Sequence, residues 1–160
     1  MSDYSPPLKA AILAVPEASV STIYGMYDLF ASTGRDWEMI VNGEPGPAVF
    51  EPYTVSTDGG RFQAGNGVWM EPDYGLADSP APDVICIPEL QVDPAANPRG
   101  RYVHETCWIQ QNYAAGGTLA TACSGALLLA EAGLLDGQDA TTHWGYVETL
   151  QTHYPGIHLH

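Results

Sequence analysis

Basic residues are what this chain has least of: five Lys and Arg stand against nineteen Asp and Glu, a formal charge of −14 over 160 residues. A surface of that sign repels phosphate backbones and anionic headgroups, which excludes nucleic-acid binding by the chain itself and assigns its charge to solubility. Cysteine is scarce too. Cys86, Cys107 and Cys123 are an odd number at wide spacings, which excludes a disulfide framework and a zinc knuckle and leaves reduced thiols. Long apolar runs are also missing: the run at 10–15 is too short for a signal core or a bilayer span, and Met1 to Pro7 carries no basic flank. A cytoplasmic protein with no membrane partner is the expectation. Repeats and low-complexity tracts are absent, and 45% hydrophobic content suits one globular domain over residues 1–160 with a sizeable core.

What the chain does contain is an alternation of apolar strands and helical patterns, the signature of βαβ units and a parallel sheet. Residues 9–15 read as a strand covered on both faces. Ile23, Tyr27 and Phe30 fall at i, i+4 and i+7 and mark a first helix that stops near Gly34. Residues 37–41 read as a second strand, and the Gly- and Pro-rich segment 42–80 as loops with short antiparallel strands at 53–56 and 68–70 on a sheet edge. Residues 83–88 resume the central sheet, and a helix over 101–115 ends at Gly116-Gly117. A short strand at 140–142, a helix at 144–152 and the start of another strand at 157–160 follow. Cys86, within the apolar run 84–87, and Cys107, on a stripe with Val103 and Ala114, are expected in the core.

The stretch 119–130, LATACSGALLLA, is the most informative. A short apolar strand runs into a thiol and then directly into a helix that is apolar nearly all round, which is the pattern of a nucleophile elbow. Such a turn is tight and strained, and Ala122, Ser124 and Gly125 supply the small neighbours it needs. A thiol at a helix N-terminus faces unpaired N–H groups and the positive end of the dipole, so the pattern predicts a depressed pKa for Cys123. The alternative is that Cys123 is one more small buried hydrophobe. Other signals carry less. His158 and His160 would share one strand face, but with His153 they supply no third ligand at metal spacing, and no metal or cofactor is implied. Trp37, Trp69, Trp108 and Trp144 read as core or interface aromatics, and Gly59-Gly60 and Gly65-Asn66-Gly67 as turns, since no helix pattern follows to make a phosphate cradle.

The block from Ala120 to Leu127, the Gly133-Leu134-Leu135-Asp136-Gly137 turn and Thr141-Thr142-His143-Trp144 occur in order, and together they resemble the ThiJ/PfpI superfamily. The resemblance implies a flavodoxin-like, class I glutamine amidotransferase-like α/β fold with helices on both faces of the sheet. It is nearest to the N-terminal domain of GlxA-type, AraC-family transcriptional regulators, and next to isocyanide hydratase. By that resemblance Cys123 takes the nucleophile position, His143 lies near the thiol, Ser124 N–H is one oxyanion donor, and Glu89 or Leu90 supplies the other. Gly125 and Thr142 line the same pocket. For His143 the other reading is a histidine that caps a helix.

Two positions depart from the family pattern. Thr22 stands where many members carry an acid in the first helix, and Glu89 replaces a glycine after the third central strand; Glu17 either reaches toward the pocket or is a solvated loop charge. Both departures favour a domain that senses a small molecule or dimerises over a thiol enzyme, with DNA binding left to a helix-turn-helix domain that this chain lacks. The alternative is a cysteine-dependent hydratase or hydrolase. The resemblance also implies a homodimer, and a further strand and helix beyond residue 160, so that an incomplete domain is expected.

Overall fold

The apolar run near the amino terminus becomes β1 (Leu8–Leu13), whose residues from Ala10 onward are completely buried because neighbours cover both of its faces. The computed structural model describes residues 5–160; the first four residues, and with them part of the amino-terminal reading, lie outside the described residues. Four more parallel strands complete the central sheet: β2 (Phe50–Ser56), β5 (Tyr74–Gly75), β6 (Val84–Ile87) and β7 (Thr118–Thr121), in the order β5-β2-β1-β6-β7. A separate antiparallel pair, β3 (Phe62–Gln63) with β4 (Trp69–Met70), matches the expected strand near 68–70. β8 (Asp139–Ala140) and β9 (His158–Leu159) form a parallel pair of their own.

Among the described residues five α-helices connect these strands: α1 (Val20–Ser32), α2 (Asp36–Asn42), α3 (Val103–Ala114), α4 (Ala126–Glu131) and α5 (Val147–His153). The main core joins Ile12, Leu13, Val55, Ile85 and Ile87 of the sheet to Ile23 of α1, Trp108 and Ile109 of α3 and Leu128 of α4. A smaller cluster of Leu127, Ala130, Leu150, Tyr154 and Ile157 fastens α5 to α4. Strand order reverses between β1 and β6, and in open α/β sheets the carboxyl ends at such a point frame the binding crevice. Here the two loops that leave those ends are tied together: Ala18 bridges Leu90, and Gln91 N–H donates to the Glu17 carbonyl at 2.8 Å.

Three sequence expectations are corrected. Residues 37–41 form no strand; they lie in α2, where Asp36 and Glu38 favour the helix N-terminus and Gly43, at φ 78°, ends it with an N–H bond to the Met39 carbonyl. Residues 53–56 belong to β2, which is parallel to β1 inside the sheet instead of antiparallel at its edge. The polar residues of β2 hide their burial because each is satisfied internally: Thr54 Oγ1 donates to Asp73 Oδ2 at 2.8 Å, and Ser56 Oγ accepts from Gly59 N–H at 3.1 Å. Cys107 is exposed, since α3 turns Glu105, Thr106, Trp108 and Ile109 inward and leaves the Val103 stripe outside. Of the four tryptophans only Trp108 is buried.

Candidate functional site

β7 carries the chain in register with β6 as far as Ala122, whose N–H donates to the Ile87 carbonyl at 3.0 Å. Then it reverses. Cys123 has φ 55°, a left-handed conformation that costs a non-glycine residue strain, and a 3-10 turn over Cys123–Gly125 leads straight into α4. That is the elbow geometry, and it leaves the Cys123 side chain exposed while Ala126 to Ala130 behind it are all buried.

Two residues hold the reversal in place. Gly125 sits against the end of β6, so that an added Cβ would lie inside contact distance of Thr121 Oγ1 and only 2.5 Å from the Pro88 carbonyl oxygen. Only glycine fits there. Ser124 is buried, and its hydroxyl accepts from Leu90 N–H and donates to the Leu90 carbonyl, both at 2.8 Å. This reciprocal pair pins the loop after β6 to the elbow. It also engages the Leu90 N–H within the protein, so of the two expected donors from that loop only Glu89 keeps a backbone N–H for a ligand oxygen.

A cleft of about 470 Å³ opens beside the thiol, lined by Cys123, Thr121, Ala126, Thr141, Thr142 and His143 with apolar Leu129, Leu135 and Ala140. Thr142 Oγ1 donates to the Cys123 carbonyl at 3.3 Å and fixes one wall. His143 does two things. It caps the 3-10 turn Trp144–Tyr146, with Nδ1 accepting from Gly145 N–H at 3.2 Å, and it lines the cleft. With Nδ1 occupied by an N–H, the neutral ring carries its proton on Nε2.

The structure therefore brings Cys123, Thr142 and His143 together and places Ser124 and Gly125 beneath them. Glu17, Thr22, Glu89 and Leu90 lie outside the cleft lining. Glu17 is part-buried, and Arg101 holds its carboxylate in an ion pair. Thr22 sits in the first turn of α1, with its N–H on the Ser19 carbonyl at 3.1 Å.

One residue of this neighbourhood escaped the sequence reading. Tyr146 directs its hydroxyl to the carbonyls of Val92 at 2.7 Å and Leu90 at 3.1 Å, and burial first, then the charge of Cys123, pushes its pKa upward. It remains a neutral donor that backs up Ser124 in restraining the same loop. Its spacing of three from His143 is the only hint in the sequence, and tyrosine at that spacing has no distinctive meaning. Elsewhere, burial pushes the Cys86 thiol up to about 11. His160 Nε2 lies 2.7 Å from Asp139 Oδ1, with His158 Nδ1 at 3.8 Å, and among the described residues no three His, Cys, Asp or Glu converge as a metal would require.

Comparison with known proteins places this geometry. Residues 22–158 match the DJ-1/PfpI family. The chain is similar to the HTH-type transcriptional regulator GbdR of Pseudomonas aeruginosa, with 28% identity over 118 residues covering 74% of this chain and 31% of the relative. It is similar as well to the isonitrile hydratase of Pseudomonas putida, with 29% identity over 150 residues covering 91% of this chain and 56% of that enzyme. The chain thus spans about a third of the first relative's length and just over half of the second's. Among solved structures, an AraC family transcriptional regulator from Pseudomonas putida superposes with a TM-score of 0.72 at 17% identity, covering 96% of this chain and 76% of that one; at that identity the likeness is one of fold, a flavodoxin-like parallel sheet.

Proposed function

The chain belongs to the DJ-1/PfpI family, and from that premise we propose that it is the small-molecule-sensing or dimerisation domain of a GlxA-type, AraC-family transcriptional regulator. The observation that carries this reading is the composition of the cleft: its walls are threonine, alanine and leucine around Cys123 and His143, with no carboxylate among them. Glu17, the nearest acid in the sequence pattern, is neutralised by Arg101. A thiol without an acid partner, beside a histidine committed through Nδ1 to a helix cap, lacks the relay that acyl or hydrolytic chemistry uses. The same walls suit a small, mostly apolar molecule with one or two hydrogen-bonding groups, held by the Thr141 and Thr142 hydroxyls and the His143 ring. DNA contact falls to a separate helix-turn-helix domain, and the working unit is a homodimer.

The second reading, a cysteine-dependent hydratase, is favoured by the similarity to isonitrile hydratase across nearly the whole chain and by the strained, exposed thiol. One experiment separates them. The purified chain and its Cys123→Ser variant are assayed on a panel of small isonitriles, amides and 2-oxoaldehydes. The sensor reading expects no turnover that depends on Cys123; saturable turnover lost in the variant establishes the enzyme.

A further inference from the structure

α2 is an amphipathic helix turned inside out. Trp37, Ile40 and Val41 fall at i, i+3 and i+4, on one face, and they are 71%, 78% and 58% exposed. No residue of the helix is buried, and the side chain turned toward the rest of the fold is that of Glu38, whose Cβ and Cγ pack over Gly46. An apolar stripe normally faces the core. Leu29 of α1, itself 71% exposed, lines a hollow with Arg35 and with Asp36, the first residue of α2. Large apolar side chains grouped on one exposed helix face mark a contact surface.

The charges around the stripe select the occupant. Between residues 28 and 47, Asp28, Asp36 and Glu44 stand against one cation, Arg35, while Glu38 packs toward Gly46. A second copy docked through this same face would bring the same acids against their own kind, so like charges would meet around the apolar contact. A basic amphipathic helix matches on both counts: its apolar face covers Trp37, Ile40 and Val41, and its lysines or arginines meet the acidic rim. We propose that α2, with Leu29, is the docking surface for a basic amphipathic helix of a partner domain. This goes beyond the sensor reading and does not require it, since α2 contributes nothing to the elbow cleft.

A fluorescently labelled helical peptide of Leu and Lys, with Leu on one face, is titrated with the chain and followed by anisotropy; the same peptide with Glu in place of Lys is the control. The wild-type chain binds the Lys peptide and ignores the Glu peptide. Trp37→Ala together with Ile40→Ser weakens binding by about tenfold or more, the loss of an apolar anchor. The decisive variant is Ile40→Glu. It adds a negative charge while it breaks the stripe, so docking on the stripe weakens whereas attraction by net charge alone tightens. Unchanged or tighter binding by Ile40→Glu, or equal binding of both peptides, overturns the proposal. So does sedimentation that shows a wild-type dimer dissociated by Ile40→Glu, because the occupant is then a second copy. The substituted positions are exposed, and unaltered circular dichroism and Tm verify that the fold is kept.

Discussion

Among the three thiols, position decides reactivity. Cys86 is buried in β6 and its pKa is raised, whereas Cys107 and Cys123 are exposed and only Cys123 stands at a strained turn. Brief alkylation at neutral pH followed by mass mapping should label Cys123 first, Cys107 later and Cys86 only on unfolding. Equal labelling of the two exposed thiols would show that the elbow confers no reactivity. Burial of Cys86 also has a pH consequence. Its folded value of about 11 lies above the ordinary 9.0, so the native state holds the proton more tightly, and the stabilisation is complete below pH 9 and lost as pH rises through 11. Thermal unfolding between pH 8 and 11 should show Tm falling in that window, with a shallower fall in Cys86→Ala.

The elbow works as an element because β6, the loop after it and the start of α4 are locked together by very short-range contacts. Gly125→Ala would press a methyl group into the Pro88 carbonyl, and Ser124→Ala would strip the Leu90 N–H of its partner in a buried site and leave the Leu90 carbonyl to Tyr146 alone. Each should lower stability by about 1–3 kcal/mol, read from urea denaturation midpoints. The two should differ in their effect on the cleft. Ser124→Ala frees the Leu90 N–H and loosens the loop that Tyr146 also restrains, so alkylation of Cys123 should change in rate, whereas Gly125→Ala acts on the turn itself. Loss of less than about 0.5 kcal/mol in both would mean that the loop is held by β6 alone.

For the molecule as a whole, net charge governs the partners it can meet. With five basic residues against nineteen acidic, the chain should give no salt-dependent mobility shift with DNA even at low salt, because it cannot release enough counterions from phosphates. A shift that weakens as salt rises would overturn the charge argument and with it the proposed division of labour between a sensing and a DNA-binding domain. The same acidic surface sharpens the contrast with α2, where apolar side chains interrupt it.

Local signals in the chain were sufficient wherever a residue's neighbours in sequence are also its neighbours in space. The elbow is such a case: small residues at 122, 124 and 125 between an apolar strand and an apolar helix specify the turn, and the structure places Cys123 there with positive φ. The parallel sheet was legible for the same reason, since apolar strands and helical periodicities alternate along the chain. Tertiary contacts decided the rest. Residues 53–56 carry Thr and Ser that look half-exposed until Asp73 and Gly59 satisfy them inside the sheet. Residues 37–41 are apolar enough for a strand, yet the acids Asp36 and Glu38 in the first turn and the left-handed Gly43 at the end make them a helix whose apolar face meets solvent. Glu17 looked free until the fold brought Arg101, 84 residues away, against it, and Leu90 N–H looked available until Ser124 reached it across 34 residues. Hydrogen bonds and ion pairs between distant segments leave no periodic trace in sequence, whereas burial patterns and tight turns do; the fold and the thiol's position were therefore readable, and the wiring of the cleft was not.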